Sequence, residues 1–151
     1  MTELIENIAS EAVFAVIALA FGWLWLKARS TLASLGKGKM TVSPDNSKVA
    51  NEVGGEIYIT DKSGTWNATH HKAPDVGAVW SPNSKTIAFV SSRDGSWQAW
   101  AVDTITSRIA RLTEMAGSPR PIKWEDNGDL ILEMGGSYLV VRAGEIEKRL
   151  S

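Results

Sequence analysis

Few side chains in this sequence are of a kind that does chemistry. His70 and His71 are its two histidines; neighbours on a strand point to opposite faces, so the pair cannot chelate one metal without a bend. Cysteine is absent, which removes thiolate ligands, thiol nucleophiles and disulfides together. The serines lie in no GxSxG turn, and neither an HExxH pair nor a phosphate-binding glycine loop occurs. Asp45, Asp61, Asp94 and Asp103 could supply carboxylates for acid–base work or calcium. Each stands at a turn or a strand end, where Asp ordinarily accepts hydrogen bonds from nearby amides, and we read all four as structural. No catalytic, cofactor or metal site is expected, and the chain is expected not to be an enzyme.

The elements around these residues divide the chain in two. Its 151 residues, 44% hydrophobic and 22% charged, have the composition of a folded domain with an appendage. Sixteen Lys and Arg balance seventeen Asp and Glu, so no basic field is available to hold a nucleic-acid backbone. The charges are unevenly placed. Residues 1–26 hold three acids and no base, and residues 27–40 hold four bases and no acid.

Between these blocks, Ala12 to Leu26 reads AVFAVIALAFGWLWL, without a charged side chain. A spanning helix needs roughly 20 residues to cross about 30 Å of hydrocarbon. We therefore draw the span from Asn7 to Leu26, with Glu11 near the helix N-terminus, where the dipole favours an anion. Trp23 and Trp25 would form the aromatic belt and Lys27 and Arg29 the basic anchors. A cleaved signal peptide would start with basic residues, and a helix lying on the membrane would need a polar face; neither feature is present. The expected organisation is a single-pass anchor over 1–29, a basic Gly-containing linker over 30–39 and a β-domain over 40–151. Membrane lipid is one expected partner, with Lys37 and Lys39 near its head groups. The basic flank predicts a cytoplasmic domain by the positive-inside rule.

From Met40 onward one pattern occurs three times: MTVSPDNSKVANEV at 40–53, AVWSPNSKTIAFVS at 78–91 and PIKWEDNGDLILEM at 121–134. In each copy a strand ends at Val42, Trp80 or Trp124, an Asn, Asp or Gly turn follows, and a second apolar strand begins. Third strands are expected at Glu56–Asp61, Gln98–Asp103 and Tyr138–Arg142, and fourth strands at Thr65–Thr69, Ile109–Thr113 and Ile146–Leu150. Trp97 and Trp100, read as three apart on a strand, face opposite sides: one belongs to the core and the other is a candidate anchor for a partner.

The second copy resembles a TolB-type β-propeller repeat. Trp80, Ser81, Pro82, Ile87, Ala88, Phe89, Arg93, Asp94, Gly95, Asp103, Arg111, Leu112 and Thr113 fall at the positions of that pattern. The first copy keeps Ser43, Pro44, Asp45 and Asp61 but has Val42 for the aromatic; the third keeps Trp124 and loses both Ser-Pro and Arg-Asp-Gly. The resemblance implies a mainly β fold of three four-stranded antiparallel blades, a partial propeller, behind the N-terminal transmembrane helix. It also implies structural roles for the motif residues, with Arg93 bonding from blade to blade, and a periplasmic setting in the bacterial envelope. That setting opposes the cytoplasmic one predicted by charge; we follow the charge, which acts directly on insertion. Among relatives with such propellers, some peptidases carry catalysis on a separate hydrolase domain, for which this length leaves no room.

Propellers ordinarily close with four to eight blades, so three leave sheet faces in need of cover. The expected function is therefore non-catalytic: a membrane protein whose blades mediate protein–protein interaction or assembly, as an accessory subunit or with a second copy of itself. The alternative is a ligand- or carbohydrate-sensing half-propeller closed by homodimerisation.

Overall fold

The structure, a computed structural model, describes residues 39–151. The expected membrane span, with Trp23, Trp25, Lys27 and Arg29, lies outside the described residues, as does most of the expected linker. Among the described residues no helix is long and apolar enough to cross a membrane.

Eleven strands and one helix follow the order β1 (Lys39–Val42), β2 (Val49–Val53), β3 (Glu56–Asp61), β4 (Gly64–Asn67), β5 (Asp75–Trp80), β6 (Thr86–Ser91), β7 (Gln98–Asp103), β8 (Ile109–Arg111), β9 (Arg120–Trp124), β10 (Leu130–Met134), β11 (Ser137–Val141) and α1 (Ala143–Leu150). They form three antiparallel sheets, β1-β2-β3-β4, β5-β6-β7-β8 and β9-β10-β11, so the fold is mainly β and built of blades.

The turns explain why the sheets begin where they do. Asn46, Ser84 and Gly128 each stand four residues beyond Val42, Trp80 and Trp124, and all three have left-handed backbones, with φ of 57°, 59° and 85°. Asn and Gly tolerate that region well, and Ser less so. The Ser43 and Ser81 hydroxyls accept the amides of Lys48 and Thr86, closing the first two hairpins from the inside.

The third blade departs from expectation. Ile146–Leu150, expected as a fourth strand, belongs instead to α1. The reason is local: Ile146 and Leu150 stand one helical turn apart and are both buried, Glu145 lies in the first turn, and Lys148 and Arg149 lie in the last, where each charge suits the helix dipole. Asp129 caps this helix from the β9–β10 turn, accepting the Ala143 amide at 2.9 Å and the Arg142 guanidinium at 2.7 Å. That amide, followed by Arg142, holds the Asp129 carboxyl below the usual range. The third blade therefore has three strands where the other two have four.

Two apolar layers hold the blades together. Ala50, Ile57 and Ile59 of the first blade pack on Trp80, Ile87, Phe89, Trp100 and Val102 of the second. Ala88, Ala99 and Ala101 of the second pack on Leu130, Leu132 and Val141 of the third, with Ile146 and Leu150 of α1 filling the rest. The small alanines on the second blade leave room for these Leu side chains and the helix.

Candidate functional site

The aromatic motif positions do one specific job. The Trp80 indole N–H donates to the carbonyl of Thr41 in the blade before it, at 3.2 Å, and the Trp124 N–H donates to the carbonyl of Val79, also at 3.2 Å. In both cases the acceptor is the residue just before the previous blade's own motif position. In the first blade that motif position is Val42, which has no N–H to give.

Strand register sorts the remaining side chains into rows across each sheet. The forward row, which faces the next blade, runs Thr41–Ala50–Ile59–Trp66 in the first blade and Val79–Ala88–Ala101–Ala110 in the second. The matching row in the third blade is Lys123–Ile131–Val140, and among the described residues no blade lies over it. Val140 is 43% exposed and Tyr138, further along β11, is 71% exposed. β11 is also an edge where the other blades carry a fourth strand. Ile131 and Val140 thus form a small apolar patch beside an open strand edge, flanked by Lys123 and by the Arg120–Glu133 ion pair, and such an edge is one that proteins ordinarily cover.

Of the motif residues expected to be structural, Arg93 requires a correction. It does not bridge blades: its guanidinium grips both carboxylate oxygens of Asp75, at 2.9 and 3.0 Å, within its own sheet. The Asp75 side chain is 0% exposed. The guanidinium carbon also lies 5.3 Å from the Phe89 ring centroid and 5.0 Å from that of Trp100. A buried carboxylate needs such a partner: Nη2 of Arg93 donates to both of its oxygens and Nε donates to the Ser91 hydroxyl, while the guanidinium stacks on the rings. Asp75 carries no local sequence signal. Its pairing brings β5 to the β6–β7 turn, eighteen residues away.

The remaining carboxylates are occupied. Asp45 accepts the Ser47 amide at 2.9 Å together with the Ser43 and Ser47 hydroxyls, and the amide bond to Ser47 leads in holding its pKa at about 2. Burial would raise Asp61, but the Ser63 hydroxyl and amide and the Gly64 amide outweigh it and leave the carboxyl lowered. Asp103 accepts the amides of Ile105 and Thr106, and Asp94 pairs with Arg111 at 3.1 Å. His71 accepts the Ala73 amide through Nδ1, and no cluster among the described residues could hold a metal.

Trp97 and Trp100 separate in burial. Trp100 lies in the layer between the first two blades, while Trp97 is 36% exposed. Trp97 is not on a strand: it falls in the turn before β7, so strand alternation does not account for its exposure. The inner strands β1, β5 and β9 border a groove of about 730 Å³, lined among others by Met40, Val42, Val79, Trp80, Lys123 and Trp124.

Comparison with known proteins agrees on the fold. A protein assigned as TolB from Agrobacterium tumefaciens superposes with a TM-score of 0.57 at 23% identity, over 66% of this chain and 39% of its own. TolB from Acinetobacter baumannii superposes at 0.55 and 22% identity, over 68% of this chain and 29% of its own. The blades thus have the fold of a TolB-type β-propeller, and the chain spans well under half of either protein. No family model matches the chain.

One curated protein of Bacillus subtilis (strain 168), described as an uncharacterized peptidase, YuxL, is 32% identical over 78 residues, half of this chain and 12% of that protein. This similarity corrects the expectation that the chain is not an enzyme. The missing nucleophile and metal motifs were its basis, yet most of that peptidase lies beyond the matched stretch, so their absence from these 151 residues does not set the chain apart from enzymes.

Proposed function

We propose that this chain is a membrane-anchored interaction module whose TolB-type blades engage another protein within a larger assembly. The observation that carries the reading is the uncovered forward row Lys123–Ile131–Val140 beside the open edge of β11. Two matching rows in the same chain are covered by a following blade. The apolar run Ala12–Leu26 with its basic flank supports the anchor, and the positive-inside rule puts the blades in the cytoplasm. The likeness to a peptidase supports an assembly in which such blades accompany a peptide-cleaving unit, with binding as the blades' own task.

Site-specific photo-crosslinking in the native membrane tests the reading. A photoreactive residue at Tyr138 is expected to give a discrete protein adduct, and the same residue at Ile105, exposed on the β7–β8 turn, is expected to give none. No adduct at position 138, or the same smear at both positions, contradicts the proposal.

A further inference from the structure

The back of the first blade is buried on the side away from the second. Its rows are Val42–Val49–Thr60–Thr65 and Met40–Asn51–Tyr58–Asn67. Val49 is 3% exposed, and Asn51 and Thr60 are each 2% exposed. Yet outside its own sheet the first blade packs on β5 of the second, through the opposite face, and Val49 belongs to neither apolar layer. The third blade supplies a standard for an uncovered face: Ile131, on the central strand of its open front, is only half-buried. Two polar groups on the back of the first blade also lack partners. Asn51 Oδ1 is buried with no hydrogen bond among the described residues, where buried acceptors are ordinarily satisfied. The Glu56 carboxylate accepts the Tyr58 hydroxyl and the Asn67 amide, and no cation among the described residues pairs with it.

We infer that residues 30–38 of this chain, between the expected anchor and β1, fold back over the rear of the first blade and cover it. The burial is that of a single chain, so neither a second copy nor lipid is needed to produce it. Lys39 pairs with Glu52 at the end of the sheet that holds the β2–β3 turn, so the residues before it leave beside Glu56. Gly36 and Gly38 permit the chain to reverse there, and Lys37 between them brings a cation to the Glu56 carboxylate. Ser30 to Leu35 then reaches about 20 Å if extended, enough to cross the roughly 17 Å of the five-residue strand β2. Leu32 and Leu35 cover Val42 and Val49, and the hydroxyls and amides of the same stretch offer Asn51 Oδ1 a donor. The apolar run Ala12–Leu26 is the poorer occupant, because it has no side chain to satisfy the acceptors on this face. Docked in this way, the segment ties the first blade to the end of the anchor and leaves the open edge of β11 on the last blade of the series. The inference concerns the opposite end of the blades from the edge proposed to engage a protein, and stands or falls without that reading.

The chain has no cysteine, so one introduced thiol reports on one position. In the full-length protein in detergent, Val49→Cys is expected to react with a charged maleimide far more slowly than Val140→Cys. Leu32→Asp with Leu35→Asp is expected to speed labelling at Val49→Cys at least about tenfold, by removing two buried side chains from the docked segment. Val102→Cys, between the first two blades, should stay protected in that background, which separates undocking from unfolding. If the double variant exposes Val102→Cys as well, Leu35→Asp alone decides, with an effect in the same direction. Labelling of Val49→Cys as fast as Val140→Cys in the parent overturns the inference. So does protection that survives the Asp substitutions, which would assign the cover to another part of the chain, or protection that fades on dilution, which would assign it to a second copy.

Discussion

Replacing Trp80 and Trp100 by Phe, one at a time, separates the hydrogen-bonding role of the motif Trp from its bulk. Both indoles are buried in the layer between the first two blades, so the loss of ring area is similar, roughly 40 Å² and about 1 kcal/mol at 25 cal/mol per Å². The polar terms have opposite signs. Trp80→Phe abolishes the 3.2 Å bond to Thr41 and strands its carbonyl, costing about 1 kcal/mol more. The Trp100 N–H is buried without a partner among the described residues, so its removal relieves a penalty of about 1 kcal/mol. Phe at position 100 still offers Arg93 a ring face, at a loss of about 0.5 kcal/mol. Trp80→Phe should therefore cost about 2 kcal/mol and Trp100→Phe about 0.5 kcal/mol. At roughly 4–5 °C per kcal/mol for a domain of this size, the two melting midpoints should differ by about 6–7 °C. Thermal melts followed by near-UV circular dichroism read this directly. If Trp100→Phe is as damaging as Trp80→Phe, the indole bond to the preceding blade contributes nothing to holding the two blades together.

Three further outcomes follow from the same geometry. Arg93→Met, which leaves the Asp75 carboxylate buried without its cation, should cost about 3–5 kcal/mol in urea melts, and adding Asp75→Asn should restore most of it. Leu150→Ala should cost about 2–3 kcal/mol and raise hydrogen exchange in α1 and β8, because Leu150 packs in the layer between the second and third blades. Asp45, Asp61 and Asp129 are all lowered on folding, so the stability they contribute is complete above about pH 4 and is lost as pH falls through their folded values, near 2 for Asp45. Melting midpoints should decline between about pH 4 and 2, and Asp45→Asn should shrink that decline.

Local chemistry made much of this fold legible. The strand ends at Val42, Trp80 and Trp124 and the turns after them follow from side chains that tolerate left-handed backbone, and the structure has them at those residues. The helix was misread because the repeat led to a fourth strand at Ile146–Leu150, although the i,i+4 apolar pair and the charges at each end of Ala143–Leu150 are a helical signature. Repetition in sequence does not oblige the last copy to repeat in structure. The partner of Arg93 was illegible for another reason: Asp75 meets it only once β5, β6 and β7 are paired. The open row was equally hidden, since Lys123, Ile131 and Val140 become neighbours only through strand register.

The most direct measurement is the mass of the full-length protein extracted gently from its native membrane, by light scattering with the detergent contribution subtracted and the co-eluting chains identified. The account predicts a particle containing at least one different polypeptide, released when Val140 is replaced by Lys. A monodisperse particle of 16.4 kDa, unchanged by that substitution, would contradict it.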